Sequence, residues 1–317
     1  QRQMCIRDRY LRAEGLAVSH DKEEFRILAG TGSYADAIGS TLEDFHDEET
    51  NRLIQRAISK RESFFEDGTY VGFFEIEEGT ENIIFLRTNN HISAVDRELI
   101  SVFSTNVAIA FTNIFLNYQM ETTQKEIIFT LGEVVETRHA ETSDHVRRVG
   151  EMAALLASEL GFSDTESELL RLAAPMHDIG KIAIGDHILL KPDKLDEKEL
   201  VAMRKHTIIG NEILKAGNKG VLKLAAEIAL THHERWDGTG YPKNLKSTQI
   251  PMVGRIVSIV DVFDALVHDR VYKPAWDVDE ALAYITEHSG TQFDPEVVKA
   301  FVKNKDKLIG ILEMYRE

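Results

Sequence analysis

The chain has 317 residues, of which 43% are hydrophobic and 28% are charged, a composition typical of globular proteins and unlike that of disordered chains. Its 37 Lys and Arg residues against 53 Asp and Glu residues give a net charge of −16, which argues against a broad surface for a nucleic-acid polymer. A single cysteine, Cys5, excludes an internal disulfide and a cysteine-rich zinc site.

The length suggests about two domains, and all six prolines lie in the second half of the chain. The opening segment, residues 1–9, fits no capping, strand or turn pattern, and we interpret it as a non-native leader. The continuous apolar runs fall far short of the roughly 20 residues that cross a bilayer, and we find no apolar core of a signal peptide. We therefore expect a cytoplasmic protein that does not enter a membrane.

Residues 10–96 have a mixed α and β pattern. Phe25–Ala29, Tyr70–Ile76 and Asn82–Arg87 are predicted strands, and Glu48–Lys60 has the apolar spacing of a helix. The pattern predicts a small antiparallel sheet flanked by helices, as in small cytoplasmic sensor domains.

Residues 97–138 predict one long connector helix, since they contain no proline and no glycine before Gly132. Apolar residues recur at steps of three and four, among them Val102, Phe103, Val107 and Phe111. Such a stripe is buried either by parallel pairing in a homodimer or by packing on the same chain, and the sequence leaves both alternatives open.

Residues 139–317 are predicted to be all-α. Helical apolar spacing occurs in seven segments: Val146–Leu160, Glu166–Ala174, Glu199–Leu214, Val221–Leu230, Val253–Val267, Val278–His288 and Pro295–Lys303.

Several of these segments carry residues that can bind metal. Glu141 and His145 are four residues apart, so a helix would present both from one face. The pair His177-Asp178 follows an apolar segment, and Lys181 lies one helical turn beyond His177. The complete set has five histidines and three carboxylates: Glu141, His145, His177, Asp178, His206, His232, His233 and Asp261.

Burying so many imidazoles and carboxylates without partners costs several kcal/mol each, and a shared group of cations removes that cost. Eight N and O ligands exceed what one ion takes, so we expect two or three divalent ions. Imidazole and carboxylate without thiolate fit iron, manganese, cobalt, nickel or zinc, and this chemistry does not choose among them. Our expectation for the site is iron or manganese, with zinc, cobalt and nickel as alternatives.

Residues 232–242 read HHERWDGTGYP. With Glu136-Thr137-Arg138, His177–Lys181 and Asp261–Leu266, this string closely resembles the HD-GYP family of bacterial cyclic di-GMP phosphodiesterases, a subset of the HD metal-dependent phosphohydrolases. The resemblance begins near Gln124. The region before it resembles the GAF-like regulatory domain of response regulators. The expected fold is therefore an α+β N-terminal sensor-like domain joined by a long helix to an all-α HD-GYP domain.

The resemblance implies that all eight residues are metal ligands, and that Glu141 separates three-metal from two-metal members. It also implies that Lys181, Arg270 and Lys273 contact substrate phosphates. Tyr241 lies near the pocket entrance, where it is either a stacking surface for guanine or a loop anchor. In the family this loop is also implicated in docking GGDEF-domain proteins, which makes such proteins candidate partners.

The resemblance implies hydrolysis of cyclic di-GMP to pGpG, to GMP or to both. We expect a metal-activated hydroxide to attack phosphorus, with Asp178 holding the ions and Lys181 stabilising charge or protonating the leaving oxygen. The alternative is an interaction module that binds a cyclic dinucleotide with little turnover. The presence of all eight ligands and Lys181 favours the enzyme.

Overall fold

The structure is a computed structural model that describes residues 13–21, 24–77, 80–90, 92–138, 143–217, 220–268 and 274–315. The predicted leader, residues 1–9, lies outside these ranges. So do three predicted site residues, Glu141, Arg270 and Lys273.

The chain divides into two compact units between Glu121 and Thr122, and the first contains a five-stranded antiparallel sheet. The strand order is β2-β1-β5-β4-β3, and the strands are β1 (Ala13–Asp21), β2 (Glu24–Thr31), β3 (Phe64–Glu66), β4 (Thr69–Glu77) and β5 (Thr80–Thr88). Helix α1 (Glu48–Lys60) shares a core with the sheet, where Ile54 and Ala57 are buried with Val71 and Phe85. The predicted small antiparallel sheet is confirmed.

The sequence analysis did not predict two of the strands, β1 and β3. Strand β1 lies at the second position of the sheet and pairs Leu16 with Phe85 of β5. Its sequence, AEGLAVSHD, contains few β-branched or aromatic residues, so the local signal for a strand is weak. Its place in the sheet therefore depends on its neighbours β2 and β5.

Helix α2 runs without interruption from Ala94 to Thr137 and has 44 residues. Ser93 and Asp96 cap its start reciprocally, because each side chain accepts the main-chain N–H of the other. Phe111 contacts Phe74 of the sheet, with 6.1 Å between the ring centroids. The connector is thus helical as predicted, and part of its apolar surface packs on its own unit.

Helix α2 bears on the expectation that the protein does not enter a membrane, although a single helix of this kind is weak evidence for a membrane span. The part of α2 from Leu99 to Met120 carries no charged residue, and by length and composition this helix could cross a membrane. Only 6% of its most apolar window is buried. Single polar residues divide the apolar runs, and for this reason counting continuous runs missed the segment.

The second unit is helical beyond the end of α2. Its helices are α3 (Ser143–Glu159), α4 (Asp164–Ala173), α5 (Asp186–Leu189), α6 (Glu197–Arg204), α7 (His206–Leu214), α8 (Gly220–Thr231), α9 (Met252–Val267), α10 (Val278–Glu287), α11 (Pro295–Lys303) and α12 (Lys305–Met314). Fully buried residues such as Leu156, Ile228 and Phe263 form one core across α3, α8 and α9. The helical prediction is confirmed, although the segment predicted as Glu199–Leu214 is two helices that meet at Lys205.

Two short 3₁₀ segments, Ala174–Met176 and Ile179–Ala183, flank the pair His177-Asp178. The second segment lies very close to α7, because a Cβ atom on Gly180 would be 1.9 Å from the carbonyl oxygen of His206. Only glycine permits this approach, which brings Asp178 next to the first residue of α7.

Candidate metal centre

Seven of the eight predicted metal ligands lie in described parts of the chain, and the structure brings them together. Two groups have ligand atoms within 4.8 Å of one another: the first is Asp178, His206, His232 and His233, and the second is His145, His177 and Asp261. These residues come from α3, α7, α9, the end of α8 and the 3₁₀ region, so the centre forms only when these elements pack together.

Asp178 is the carboxylate of the first group, and it also faces His177 of the second group. Its Oδ1 lies 3.1 Å from Nε2 of His206 and 3.5 Å from Nε2 of His232, and its Oδ2 lies 3.4 Å from Nε2 of His177. One carboxylate therefore faces three imidazoles, an arrangement in which its two oxygens can serve different ions.

Asp261 plays the corresponding part in the second group. Its Oδ1 lies 3.7 Å from Nε2 of His177 and 3.8 Å from Nε2 of His145. His177 thus lies between the two carboxylates and connects the groups.

Main-chain carbonyl groups orient three of the imidazoles. The Nδ1 atoms of His177, His206 and His232 lie 2.9, 2.7 and 3.1 Å from carbonyl oxygens three or four residues earlier in the chain. A carbonyl oxygen only accepts hydrogen bonds, so Nδ1 carries the hydrogen. In the neutral ring the lone pair is then on Nε2, which faces Asp178, and this is the tautomer that binds a metal.

The atoms that face the centre are buried without ordinary partners. Nε2 of His177, His206 and His232 and Oδ1 of Asp178 have no hydrogen-bond partner of acceptable geometry within the described ranges. A buried polar atom left unpaired costs about 1–3 kcal/mol, and a divalent cation removes this cost by accepting the lone pairs. The residues therefore fit metal ions, and the N and O donors suit iron, manganese, cobalt, nickel or zinc.

The electrostatics of the centre favour a cation. Burial alone would lower the pKa of His177, but the carboxylates of Asp178, Asp261 and Glu136 together outweigh burial and raise this pKa to about 10. At physiological pH the metal-free ring therefore carries a second proton, which an ion binding to Nε2 would displace. Burial would raise the pKa of Asp178, yet Lys181 and His177 hold it well below its usual range. At His232 and His233, burial lowers the pKa of the imidazole, so both rings are neutral at physiological pH and can bind metal.

Glu136, which the sequence analysis did not select as a site residue, belongs to this centre. It is 2% exposed, and its carboxylate lies within 4.8 Å of the ligand atoms of His177 and Asp178. Nζ of Lys181 lies 3.4 Å from Glu136 and 2.7 Å from Asp178. Lys181 is therefore held between two carboxylates at the edge of the cluster. The sequence gives no separate signal for Glu136, because Glu121, Glu126 and Glu133 of the same helix are also carboxylates.

A second unpredicted group, Asp264 with Arg148, orients His145. Oδ2 of Asp264 lies 2.7 Å from Nδ1 of His145, and Arg148 donates to both oxygens of Asp264 at 2.6 and 3.0 Å. Although burial would raise the pKa of Asp264, the hydrogen bonds from His145 and Arg148 hold it far below its usual range. The ionised carboxylate fixes the ring so that Nε2 of His145 faces Asp261.

Tyr241, predicted to lie near the pocket entrance, contacts the centre at its rim. Its ring centroid lies 4.8 Å from that of His233 and 6.4 Å from that of His206. Burial raises the pKa of the Tyr241 hydroxyl, so it remains protonated at physiological pH.

Comparison with known families identifies both parts of the chain. Residues 130–297 match a family model described as an HD domain. Residues 8–120 match a model described as a domain of unknown function, DUF3369. The second match carries no activity, and the GAF-like assignment stays a prediction.

Several curated proteins are similar to the chain. The 3'3'-cGAMP-specific phosphodiesterase 2 of Vibrio cholerae is 37% identical over 264 residues, which is 83% of this chain and 51% of that protein. The cyclic di-GMP phosphodiesterase of Thermotoga maritima is 46% identical over 186 residues, 59% of this chain and 50% of that protein. The cyclic di-GMP phosphodiesterase response regulator RpfG of Xanthomonas campestris is 43% identical over 190 residues, which is 60% of this chain and 50% of that protein. The chain spans about half the length of these relatives.

The first prediction concerns metal content. Asp178→Ala removes the carboxylate that faces three imidazoles. We expect this variant to contain much less bound metal than the wild type, as measured by elemental analysis. His288→Ala is the matched control, because His288 stacks on Tyr284 outside the cluster. His268 is a poorer control, since its Nδ1 lies 3.5 Å from Asp264. Equal metal content in the Asp178 and His288 variants would contradict the assignment.

The second prediction concerns Asp264. Asp264→Asn should lower metal affinity about 10- to 100-fold, because His145 loses its orienting carboxylate. It should also lower the free energy of unfolding by about 3–5 kcal/mol, because Arg148 remains buried and unpaired.

The double variant Asp264→Asn with Arg148→Met separates these two effects. We expect it to recover stability in urea unfolding while metal titration still shows weak binding. Recovery of metal affinity together with stability would mean that Asp264 acts only on folding.

Proposed function

Because the chain belongs to the HD-domain family, we propose that it is a metal-dependent phosphodiesterase that hydrolyses cyclic di-GMP. The observation that carries this proposal is the convergence of oriented imidazole Nε2 atoms on Asp178 beside Lys181. The names of the relatives support the same substrate class, since two are named for cyclic di-GMP and one for 3'3'-cGAMP.

In this proposal the metal ligands are His145, His177, Asp178, His206, His232, His233 and Asp261, with Glu141 as the eighth, and they hold two or three ions. Divalent ions at such a site lower the pKa of water and neutralise charge on the phosphate. Asp178 and Asp261 would help to hold these ions, and the imidazoles add no negative charge that would repel an anionic substrate.

Lys181 is the catalytic cation of the proposal. Its ammonium group lies at the edge of the cluster, where it can bind a non-bridging phosphate oxygen or give a proton to the leaving ribose oxygen. Glu136 holds Lys181 from the other side, which keeps the ammonium group in place while Asp178 binds metal. Hydrolysis of one ester gives pGpG, and hydrolysis of both gives GMP.

The remaining roles follow from the resemblance. We propose that Arg270 and Lys273 contact substrate phosphates and that Tyr241 lines the entrance. The N-terminal domain would be a GAF-like regulatory domain, GGDEF-domain proteins would be partners, and the protein would work in the cytoplasm, where the second messenger acts.

The alternative, a module that binds cyclic dinucleotides with little turnover, has weaker support. A binding module needs neither a buried cluster of oriented imidazoles nor a lysine between two carboxylates. No observation in the described ranges favours this alternative over the enzyme.

The third prediction tests the activity. Anaerobically purified protein loaded with Fe²⁺ or Mn²⁺ should convert cyclic di-GMP to pGpG or GMP, as measured by chromatography, whereas Asp178→Ala should give no product. His288→Ala should retain activity. Binding of cyclic di-GMP by calorimetry without any product would reject the enzyme in favour of the module.

We further propose that α2 pairs with α2 of a second copy. Residues 99, 102, 106, 109, 113, 116 and 120 follow alternating steps of three and four. The large apolar members of this set, Leu99, Val102, Ile109, Leu116 and Met120, are all more than half exposed. The other two, Asn106 and Asn113, occupy equivalent heptad positions, where asparagine fixes the register of a two-stranded coiled coil. This pattern favours a homodimer over insertion into a membrane, where the asparagines would lack partners.

The fourth prediction tests this pairing. The double variant Ile109→Asp with Leu116→Asp places charges in the seam and should convert a dimer to a monomer in analytical ultracentrifugation. Tyr118→Asp, on another face of the same helix, should leave the dimer intact. A wild-type monomer at all concentrations, or co-sedimentation with lipid vesicles, would contradict the proposal.

A further inference from the structure

A cavity of about 230 Å³ opens beside the metal centre. Its lining includes His233 and Tyr241, which contact each other, and six polar or charged residues that the sequence analysis did not select as site residues: Arg204, Glu234, Arg235, Thr239, Ser258 and Gln292. Pockets that enclose a whole drug-sized ligand measure about 300–1,000 Å³. This cavity is therefore of a size for one part of a cyclic dinucleotide, and it borders the metal centre at His233.

Arg204, the last residue of α6, is held at this cavity by Tyr241. Its guanidinium carbon lies 4.8 Å from the centroid of the Tyr241 ring, which in turn contacts His233. A guanidinium that lies over a ring keeps its N–H donors available in its own plane. Within the described ranges, no carboxylate lies within 4.0 Å of the Arg204 guanidinium. Its N–H groups are therefore available to donate hydrogen bonds to a ligand.

The charge of the cavity selects acceptor-rich ligands. Arg204 and Arg235 both line it, whereas the one lining carboxylate, Glu234, is buried and accepts the main-chain N–H groups of Lys243 and Leu245. Tyr241 has ring contacts with both His233 and Arg204, which favours the role of an anchor for Arg204 over that of a free stacking surface.

Guanine matches these donors and adenine does not. The O6 and N7 atoms of guanine are adjacent acceptors that a guanidinium binds with two hydrogen bonds. Adenine presents N7 beside an amino group, so the second donor of arginine meets another donor. We propose that this cavity is a guanine subsite and that Arg204 reads the O6/N7 edge of the base. The inference rests on the proposed function for its substrate class.

The fifth prediction uses GMP and AMP, which share ribose and phosphate and differ only in the base. Calorimetric titration of the metal-loaded full chain should show GMP binding about 10- to 100-fold more tightly than AMP, the range for one bidentate base contact. Arg204→Ala should remove this difference by weakening GMP alone. Arg204→Lys, which keeps the charge and loses the fork, should also remove it. Lys205→Ala, an exposed cation one residue away, should leave both affinities unchanged.

Two results would overturn the subsite. One is equal binding of GMP and AMP by the wild type. The other is an equal loss of both nucleotides in Arg204→Ala, which would make Arg204 a phosphate contact.

Hydrolysis assays separate this inference from the proposed function. With cyclic di-GMP as substrate, Arg204→Ala should raise KM about 10- to 100-fold with little change in kcat, because the base is bound alike before and during the reaction. Absence of hydrolysis by the wild type would reject the proposed function while the GMP and AMP titrations still test the subsite.

Discussion

The candidate site depends on hydrogen bonds between histidine Nδ1 atoms and main-chain carbonyl groups close to them in sequence. At His177, His206 and His232 these bonds select one tautomer and fix the ring plane before any ion is bound. The direction of each Nε2 atom is then set by the main chain of its own helix or turn. The positions of the metal-binding atoms then depend on how closely the helices and turns that carry them pack together. Gly180 permits the closest of these contacts, between its 3₁₀ segment and α7.

Buried charges make this arrangement costly for an isolated polypeptide. Glu136, Asp178 and Lys181 are all buried in the second unit, and Asp261 adds a partly exposed carboxylate. Lys181 and a protonated His177 still leave one of the three carboxylates unbalanced, so the centre retains an excess of negative charge that bound cations would relieve. Ions that bind only the folded state also stabilise it, and we expect the stability of this unit to be linked to its metal content. The buried pair of Arg148 and Asp264 adds no net charge to the centre, because its two charges balance each other. Its role is to orient His145.

The sequence allowed prediction of features with a local signature. The helices of the second unit and most ligands were accessible because apolar spacing and interrupting polar residues are both local patterns. Glu136 and Asp264 were missed as site residues, since a single carboxylate in a helix has no distinguishing spacing and acquires its role from contacts that the fold creates. Asp264 reaches Arg148, for example, across 116 residues of sequence. Strand β1 was missed for the same reason, because its partners, and not its own residues, define it.

The distribution of charge in the chain bears on how it would recognise an anionic nucleotide. A net charge of −16 opposes the approach of such a ligand, so long-range attraction does not explain binding. Short-range contacts must therefore supply both affinity and selectivity. They act within the Debye length, roughly 8–10 Å near physiological ionic strength, beyond which salt largely screens the exposed charges of the protein. Lys181 at the metal centre and Arg204 with Arg235 at the cavity are the cations that would act within that range on a ligand bound as we propose. Since a guanidinium distinguishes hydrogen-bond patterns as well as charge, arginine at the cavity provides selectivity that a lysine there would not.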